Sequence, residues 1–315
     1  MSILSSIAFS TGTYRPIEAA ATTDAERSAI RALREDGFDT YLEADMPIAA
    51  LAGQAMAGCL AKSGLEPGDI DATVFSTESF WDFAPDRLDQ LPDHLRVRNE
   101  LIETMAELGL VNAYPYGSWM SACANLAPSL KLAKALIDGG LHRNVMLVLG
   151  DRQPRFLPRV MRNGAAVYSD IMAACLVRAE GQGFALRHIV TGAAPRAAAM
   201  HTAGDHPRLL LETKRALRKL DKRFSAAAGR TIAGHGNIIA PHFHRASIDV
   251  IYQCLNIIDH EPCRDGRGKA AHSHAVDNLI TLDLLDGGRA YAVRDEILLL
   301  NTAVYMWNAV VLERV

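Results

Sequence analysis

Gly117-Ser-Trp-Met-Ser-Ala-Cys-Ala-Asn-Leu126, continued by Ala127-Pro-Ser-Leu-Lys-Leu-Ala-Lys-Ala-Leu-Ile-Asp-Gly-Gly140, is the stretch on which the fold reading turns. Ser121, Ala122 and Ala124 crowd one thiol, Cys123. Directly after it, Leu126, Leu130, Ala133, Leu136 and Ile137 recur at helical spacing, and Gly139-Gly140 stops the run. Cys123 is therefore expected on a tight turn at a helix N-terminus. Unpaired N–H groups and the helix dipole there favour a thiolate over a thiol. The plainer alternative is a buried cysteine acting as a small hydrophobe.

Working outward, the other segments alternate. Strands are expected at 3–9, 71–76, 144–150, 169–178, 184–191, 296–300 and 304–314. Residues 11–16 read as a loop. Helices are expected at 24–35, 46–63, 96–108, 209–224 and 246–257, and another runs from the 269–279 region to Leu285. The 144–150 run is apolar almost throughout, as a strand buried on both faces should be. Glu78 to Pro85 is an aromatic-rich loop, read as packing beneath a surface loop or as one wall of a substrate entrance. The basic helix at 209–224 reads as a charged surface face, with a patch for an acidic phosphopantetheine carrier as the alternative.

Composition narrows the classes. The chain has 315 residues, 49% hydrophobic, with a net charge of −3 and a pI of about 6.4. No long basic run invites nucleic acid, and no apolar run reaches the length of a membrane span. The first residues lack the basic leader and apolar core of a signal peptide. Five cysteines at irregular spacing argue against a disulfide framework and for a reducing cytoplasm. Neither C-x-x-C nor H-E-x-x-H is present, so no metal site is expected.

The chain also repeats itself. A helix opened by Cys123 and closed at Gly139-Gly140 is followed by two strands. A helix opened by His272 and closed at Gly287-Gly288 is followed by two more. A duplicated unit folding into two similar halves brings the starts of equivalent helices together, which places His272 near Cys123.

Four stretches, Ser121–Leu126, Val145–Asp151, Ser169–Ala174 and Ala240–His244, resemble the β-ketoacyl-carrier-protein synthase III group of the thiolase superfamily. The resemblance implies a five-layered αβαβα fold of two pseudo-symmetric halves, here 1–180 with the cysteine and 181–315 with its partners, and a homodimer. It implies a Cys-His-Asn site in which Cys123 matches the nucleophile and His242 the first histidine. The chain departs from that pattern. His272 stands where the family has asparagine, and Asp277 follows five residues later. His-x-x-x-x-Asp resembles a subgroup of synthase-III-like acyltransferases of natural-product pathways, which use a Cys-His-Asp triad. Asn301-Thr-Ala-Val-Tyr replaces a glycine-rich loop whose N–H, expected near Thr302, completes the oxyanion hole.

What these imply is a thioester-dependent acyltransferase. Cys123 takes an acyl group from acyl-CoA or an acyl carrier protein, His272 carries the proton, and Asp277 holds the imidazole. The acceptor is a hydroxyl or amine, and no cofactor beyond the acyl donor is expected. The alternatives are a decarboxylating condensing enzyme and a degenerate partner subunit of one. His235, His244 and His274 read as surface or loop histidines.

Overall fold

The computed structural model describes the chain apart from residues 83–92, 259, 262–263 and 289–290. Part of the aromatic loop (83–85) and Cys263 therefore lie outside the described residues. The elements run β1 (Ile3–Thr11), β2 (Thr13–Pro16), α1 (Asp24–Glu35), β3 (Thr40–Glu43), α2 (Ile48–Ser63), β4 (Ala72–Ser76), α3 (Asp93–Glu107), β5 (Tyr114–Gly117), α4 (Leu126–Asp138), β6 (Asn144–Asp151) and β7 (Ile171–Arg178). They continue with β8 (Phe184–Ala193), α5 (Arg196–Thr202), α6 (His206–Ala228), β9 (Ile238–Ile239), α7 (Arg245–Leu255), α8 (Arg264–Ala270), α9 (Asp277–Gly287), β10 (Glu296–Thr302) and β11 (Met306–Arg314).

Among the described residues the main strands lie in the order β5-β4-β6-β7-β1-β8-β11-β10-β9. This order is a palindrome in topology. β1 corresponds to β8, β7 to β11, β6 to β10 and β4 to β9. In each half the inner pair is antiparallel (β6 with β7, β10 with β11) and the next pair is parallel (β6 with β4, β10 with β9). The halves join through a short antiparallel contact, Ile3 opposite Ala185 and Leu4 opposite Phe184.

Strand alternation sorts the core into layers. On β6, Val145, Leu147 and Leu149 face a central core, while Met146 and Val148 face an outer one built on α2 and α3. On β10, Ile297 and Leu299 face the same central core, while Leu298 and Leu300 face an outer core built on α6 and α7. Between the sheets lie α4, through Leu126, Leu130, Ala133 and Ile137, and α9, through Leu279, Ile280 and Leu282. The result is helices, sheet, helices, sheet, helices. The central helices are apolar on most sides because both neighbours are sheets.

Two local expectations are corrected. Residues 13–16 are not loop: β2 pairs antiparallel with β3 from Thr13–Glu43 to Pro16–Thr40. All four residues of β2 are exposed, so no apolar alternation marked them. A strand at 114–117 also went unread, because Tyr-Pro-Tyr-Gly is the edge strand, where a proline is tolerated. No helix among the described residues is long and apolar enough to cross a membrane.

Candidate active site

Cys123 sits in a 3-10 turn, Ala122–Ala124, that runs straight into α4. The residue before it, Ala122, has φ +48°. A left-handed non-glycine costs roughly 1–2 kcal/mol, so surrounding contacts must impose it. They are visible. The Asn125 carboxamide accepts from the Ser121 N–H (3.0 Å) and donates to the Trp119 carbonyl (3.2 Å). From the other half, Asn308 donates to the Ala124 carbonyl and the Tyr305 hydroxyl to the Met120 carbonyl, both at 3.1 Å.

His272 is built in the same way. Ala271 before it has φ +45°, and a 3-10 turn (274–276) leads into α9. Here the clamp is the first half's backbone. The His272 N–H donates to the Val167 carbonyl, and its own carbonyl accepts from the Ser169 N–H, both at 2.9 Å. Asp277 is the first residue of α9 rather than more than a turn inside it. The separation of five thereby spans a turn and a helix start, and the two side chains meet.

The geometry is a linear relay. Cys123 Sγ lies 3.2 Å from His272 Nε2, and His272 Nδ1 lies 2.7 Å from Asp277 Oδ2. The Asp277 carboxylate also accepts the His242 N–H (2.8 Å) and the Ser273 N–H (2.6 Å). His272 and Asp277 are buried and Cys123 is half-buried. Burial opposes every charge here, but the partners outweigh it. The Cys123 thiol is lowered to about 6 by His272 and then His274. His272 is raised to about 10 by Asp277 and then Cys123. Asp277, against its burial, is held down at about 2 by His272 and His242. Sulfur and imidazole titrate as one pair, and near neutrality that pair is thiolate and imidazolium.

His242, matched above to the family's first histidine, has both ring nitrogens held within the protein. Its Nδ1 donates to the Ala271 carbonyl (2.7 Å), and its Nε2 accepts from the Thr281 hydroxyl (2.9 Å). Burial lowers its pKa and keeps it neutral. With both nitrogens engaged, it braces the residue before His272 and leaves no donor for an oxyanion. Thr302 ends β10 opposite Trp307, beside the Cys123 turn. The next amide, Ala303 N–H, is spent on the Met306 carbonyl. The glycine-poor loop is thus a closed hairpin that engages the Ala303 amide itself.

His274 is the residue that sequence reasoning missed. The sequence reads it as a surface or loop histidine, yet a donor atom of Cys123, one of His272 and one of His274 all lie within 4.8 Å of one another. Its ring stacks on Tyr168 (4.9 Å between centroids, 16° between planes). The signal available was His-x-His at a helix start equivalent to the cysteine's. Glu78 lies at the solvent rim, its carboxyl pushed up to about 7 by desolvation and by the charges of Asp151 and Cys123. Of the aromatic loop, Phe80 meets the half-exposed Trp119 edge-on (5.7 Å), while Trp81 packs on Arg152, whose guanidinium pairs with buried Asp82.

The Cys123, His272 and His274 donors are spaced as a soft divalent ion could use. Two ligands of a tetrahedral zinc stand about 3.6 Å apart, given bonds of about 2.0–2.3 Å. The Cys123–His272 separation of 3.2 Å is shorter and suits a shared proton.

No protein-family model matches the chain. It is 27% identical to β-ketoacyl-[acyl-carrier-protein] synthase III of Chlamydia caviae over 127 residues, 40% of this chain and about a third (34%) of that protein's length. It is 23% identical to a synthase III of Streptomyces coelicolor over 255 residues, 79% of this chain and 72% of that protein. Solved structures match across the whole chain. The acyltransferase ChlB3 superposes with a TM-score of 0.80 at 15% identity, covering 100% of this chain and 98% of that one. A 3-oxoacyl-(acyl-carrier-protein) synthase III superposes at 0.76 and 18% identity, covering 99% of each. The fold is thiolase-like. The chain is thus similar to synthase III in fold and, weakly, in sequence.

Proposed function

We propose that the protein is an acyltransferase. It moves an acyl group from a CoA or carrier-protein thioester to Cys123 and then to a hydroxyl or amine acceptor. The observation that carries this reading is the unbroken relay from Cys123 Sγ through His272 to Asp277, at 3.2 and 2.7 Å.

The thiolate attacks the carbonyl carbon of the donor, forming the Sγ–C bond. The donor C–S bond breaks, and its leaving sulfur takes the proton from His272 Nε2. His272 is then neutral, with Nε2 bare and Nδ1–H still on Asp277. It accepts the proton of the acceptor O–H or N–H as that atom attacks the acyl carbon. The Cys123 S–C bond breaks, and thiolate and imidazolium are restored.

A decarboxylating condensation is the second reading, favoured by the similarity to β-ketoacyl-[acyl-carrier-protein] synthase III. It asks for neutral donors on a developing enolate oxygen. His242 is neutral but has both nitrogens engaged. His272 is backed by a carboxylate, which makes it a strong base and a poor neutral donor. Both facts favour transfer.

The test is incubation with a panel of acyl-CoAs and acyl carriers, then intact-protein mass spectrometry of wild type and Cys123→Ala. An added acyl mass confined to wild type, discharged by a hydroxyl or amine acceptor, supports transfer. Carbon dioxide release with a β-ketoacyl product from a malonyl carrier selects condensation. No adduct with any donor would leave the degenerate-subunit reading.

A further inference from the structure

We infer that His274, held against Asp151, is a second catalytic imidazole of this site: its Nε2 serves Cys123 as a hydrogen-bond donor, first to the thiolate and then to the oxygen of the attacked carbonyl. The second of these roles rests on the acyl-transfer reading; the first does not.

Four observations converge. His274 has a donor atom within 4.8 Å of both Cys123 and His272. Its Nε2 is buried and has no hydrogen-bond partner, a costly state for a nitrogen unless a substrate or charged sulfur supplies one. Its Nδ1 lies 3.8 Å from Asp151 Oδ2, while Asp151 Oδ1 is already taken by the Thr77 hydroxyl, the Glu78 N–H and the Ser79 hydroxyl. Only one carboxylate oxygen therefore remains for the imidazole. Finally, His274 itself has φ +53°. Of the six non-glycine residues with positive φ among those described, three are Ala122, Ala271 and His274. Strain concentrated on one site is strain that orients side chains.

The arrangement is two imidazole–carboxylate pairs flanking one sulfur, His272 with Asp277 and His274 with Asp151. They cannot do the same work. His272 Nε2 is committed to the proton that leaves and returns. His274 Nε2 has no hydrogen-bond partner within the protein and is left for a ligand. The charged and titratable groups around His274 are Cys123, His272, Asp151 and Glu78, with Tyr168 stacked on the ring. Burial disfavours its cation, but the sulfur and Asp151 raise its pKa overall. An Nε2–H here can thus donate to negative charge on the sulfur or on a substrate oxygen.

The test follows iodoacetamide alkylation of Cys123 against pH by peptide mass spectrometry, in wild type, His274→Ala and His274→Gln. Acylation rates are measured alongside. Removing the imidazole should raise the alkylation midpoint and slow acylation by about 10²–10³-fold, the usual cost of one oxyanion donor. Gln returns an uncharged N–H near the same place. It should recover part of the acylation rate while its alkylation midpoint stays raised. If His274→Ala does not fold, the midpoint of His274→Gln alone decides. A midpoint equal to wild type in a folded His274 variant overturns the inference. Because alkylation needs no substrate, a raised midpoint in a protein that no thioester acylates would sink the acyl-transfer reading and leave His274 as the partner of the thiolate.

Discussion

The turn that carries Cys123 and the turn that carries His272 are one piece of architecture used twice, yet their surroundings are opposite. Both follow an alanine in the left-handed region, both continue through a 3-10 turn, and both open a helix of the central layer. Around Cys123 the wall is open: Trp119 and Met120 are 50% and 65% exposed. Around His272 it is closed: His272, Ser273, Asp277, Asn278 and Thr281 are all buried. Each buried polar group there has work. Asn278 donates to the carbonyls of Ile239 and Leu300, and Ser273 to that of Ala270. The two equivalent turns thus differ in exposure, open beside Cys123 and closed around His272. Substrate is expected to pass the Cys123 side, and substitutions on the His272 side should alter proton traffic more than binding.

The comparison is broken most completely by His272→Ala. The thiol keeps the burial that opposes its charge and loses its largest stabilising partner, so acyl transfer should fall by about 10²–10⁴-fold. The alkylation midpoint of Cys123 should climb well above 6. A loss of less than tenfold would mean the closed side carries no proton. Asp277→Asn comes next. It should slow transfer, with the release of the acyl group from Cys123 most affected, because the imidazole loses the carboxylate that fixes its tautomer. It should also destabilise. The carboxylate accepts from His272, His242 N–H and Ser273 N–H. An amide turns one of those oxygens into a donor facing a buried N–H, at a cost of about 1–3 kcal/mol. Urea denaturation measures it; an unchanged midpoint would mean the cage has slack.

The pH dependence sharpens the comparison without any mutation. Below about 6 the Cys123 thiolate is protonated, and acylation should drop roughly tenfold for each further pH unit. Above about 10 the imidazolium loses the proton that the leaving sulfur needs, and the rate should fall again. Stability has its own limb. Asp277 is depressed in the folded state, so its contribution is present above the ordinary aspartate value of 3.8 and is lost as pH falls towards 2. An acylation profile with its acid limb near 9 would show that the pair does not exist as ions.

Much of this was legible in the sequence, and the limits are physical. The small-residue turn before a periodic helix pointed to Cys123. The duplicated helix-strand-strand pattern placed His272 opposite it, because equivalent helices of a two-fold repeat share a layer. The relay's third member, Asp277, came from the resemblance of His-x-x-x-x-Asp to a family pattern and not from the spacing itself. Three things did not follow. The exposed strand β2 has no apolar face to betray it. His242 matched a family position, but only coordinates reveal that Ala271 and Thr281 hold both its nitrogens. His274 reads in the sequence as a surface or loop histidine. Its burial depends on Tyr168 and Asp151, which arrive from segments more than a hundred residues away.

The smallest expected effect tests how far the closed side's rigidity matters. A β-carbon on Gly266 of α8 would stand 2.8 Å from Thr281 Oγ1 and 3.0 Å from His242 Nε2, the two atoms that bond each other. Alanine brings up to about 1 kcal/mol of helix propensity. Overpacking a buried, pinned pair costs about 1–3 kcal/mol, so Gly266→Ala should destabilise on balance. The disturbance reaches Ala271 through the His242 Nδ1 bond, one residue from the relay but not in it. Acylation should therefore change by less than tenfold, and the Cys123 alkylation midpoint should stay near that of wild type. A rate loss as deep as that of Asp277→Asn would show that the left-handed residue before His272, and not the carboxylate behind it, sets the imidazole's position.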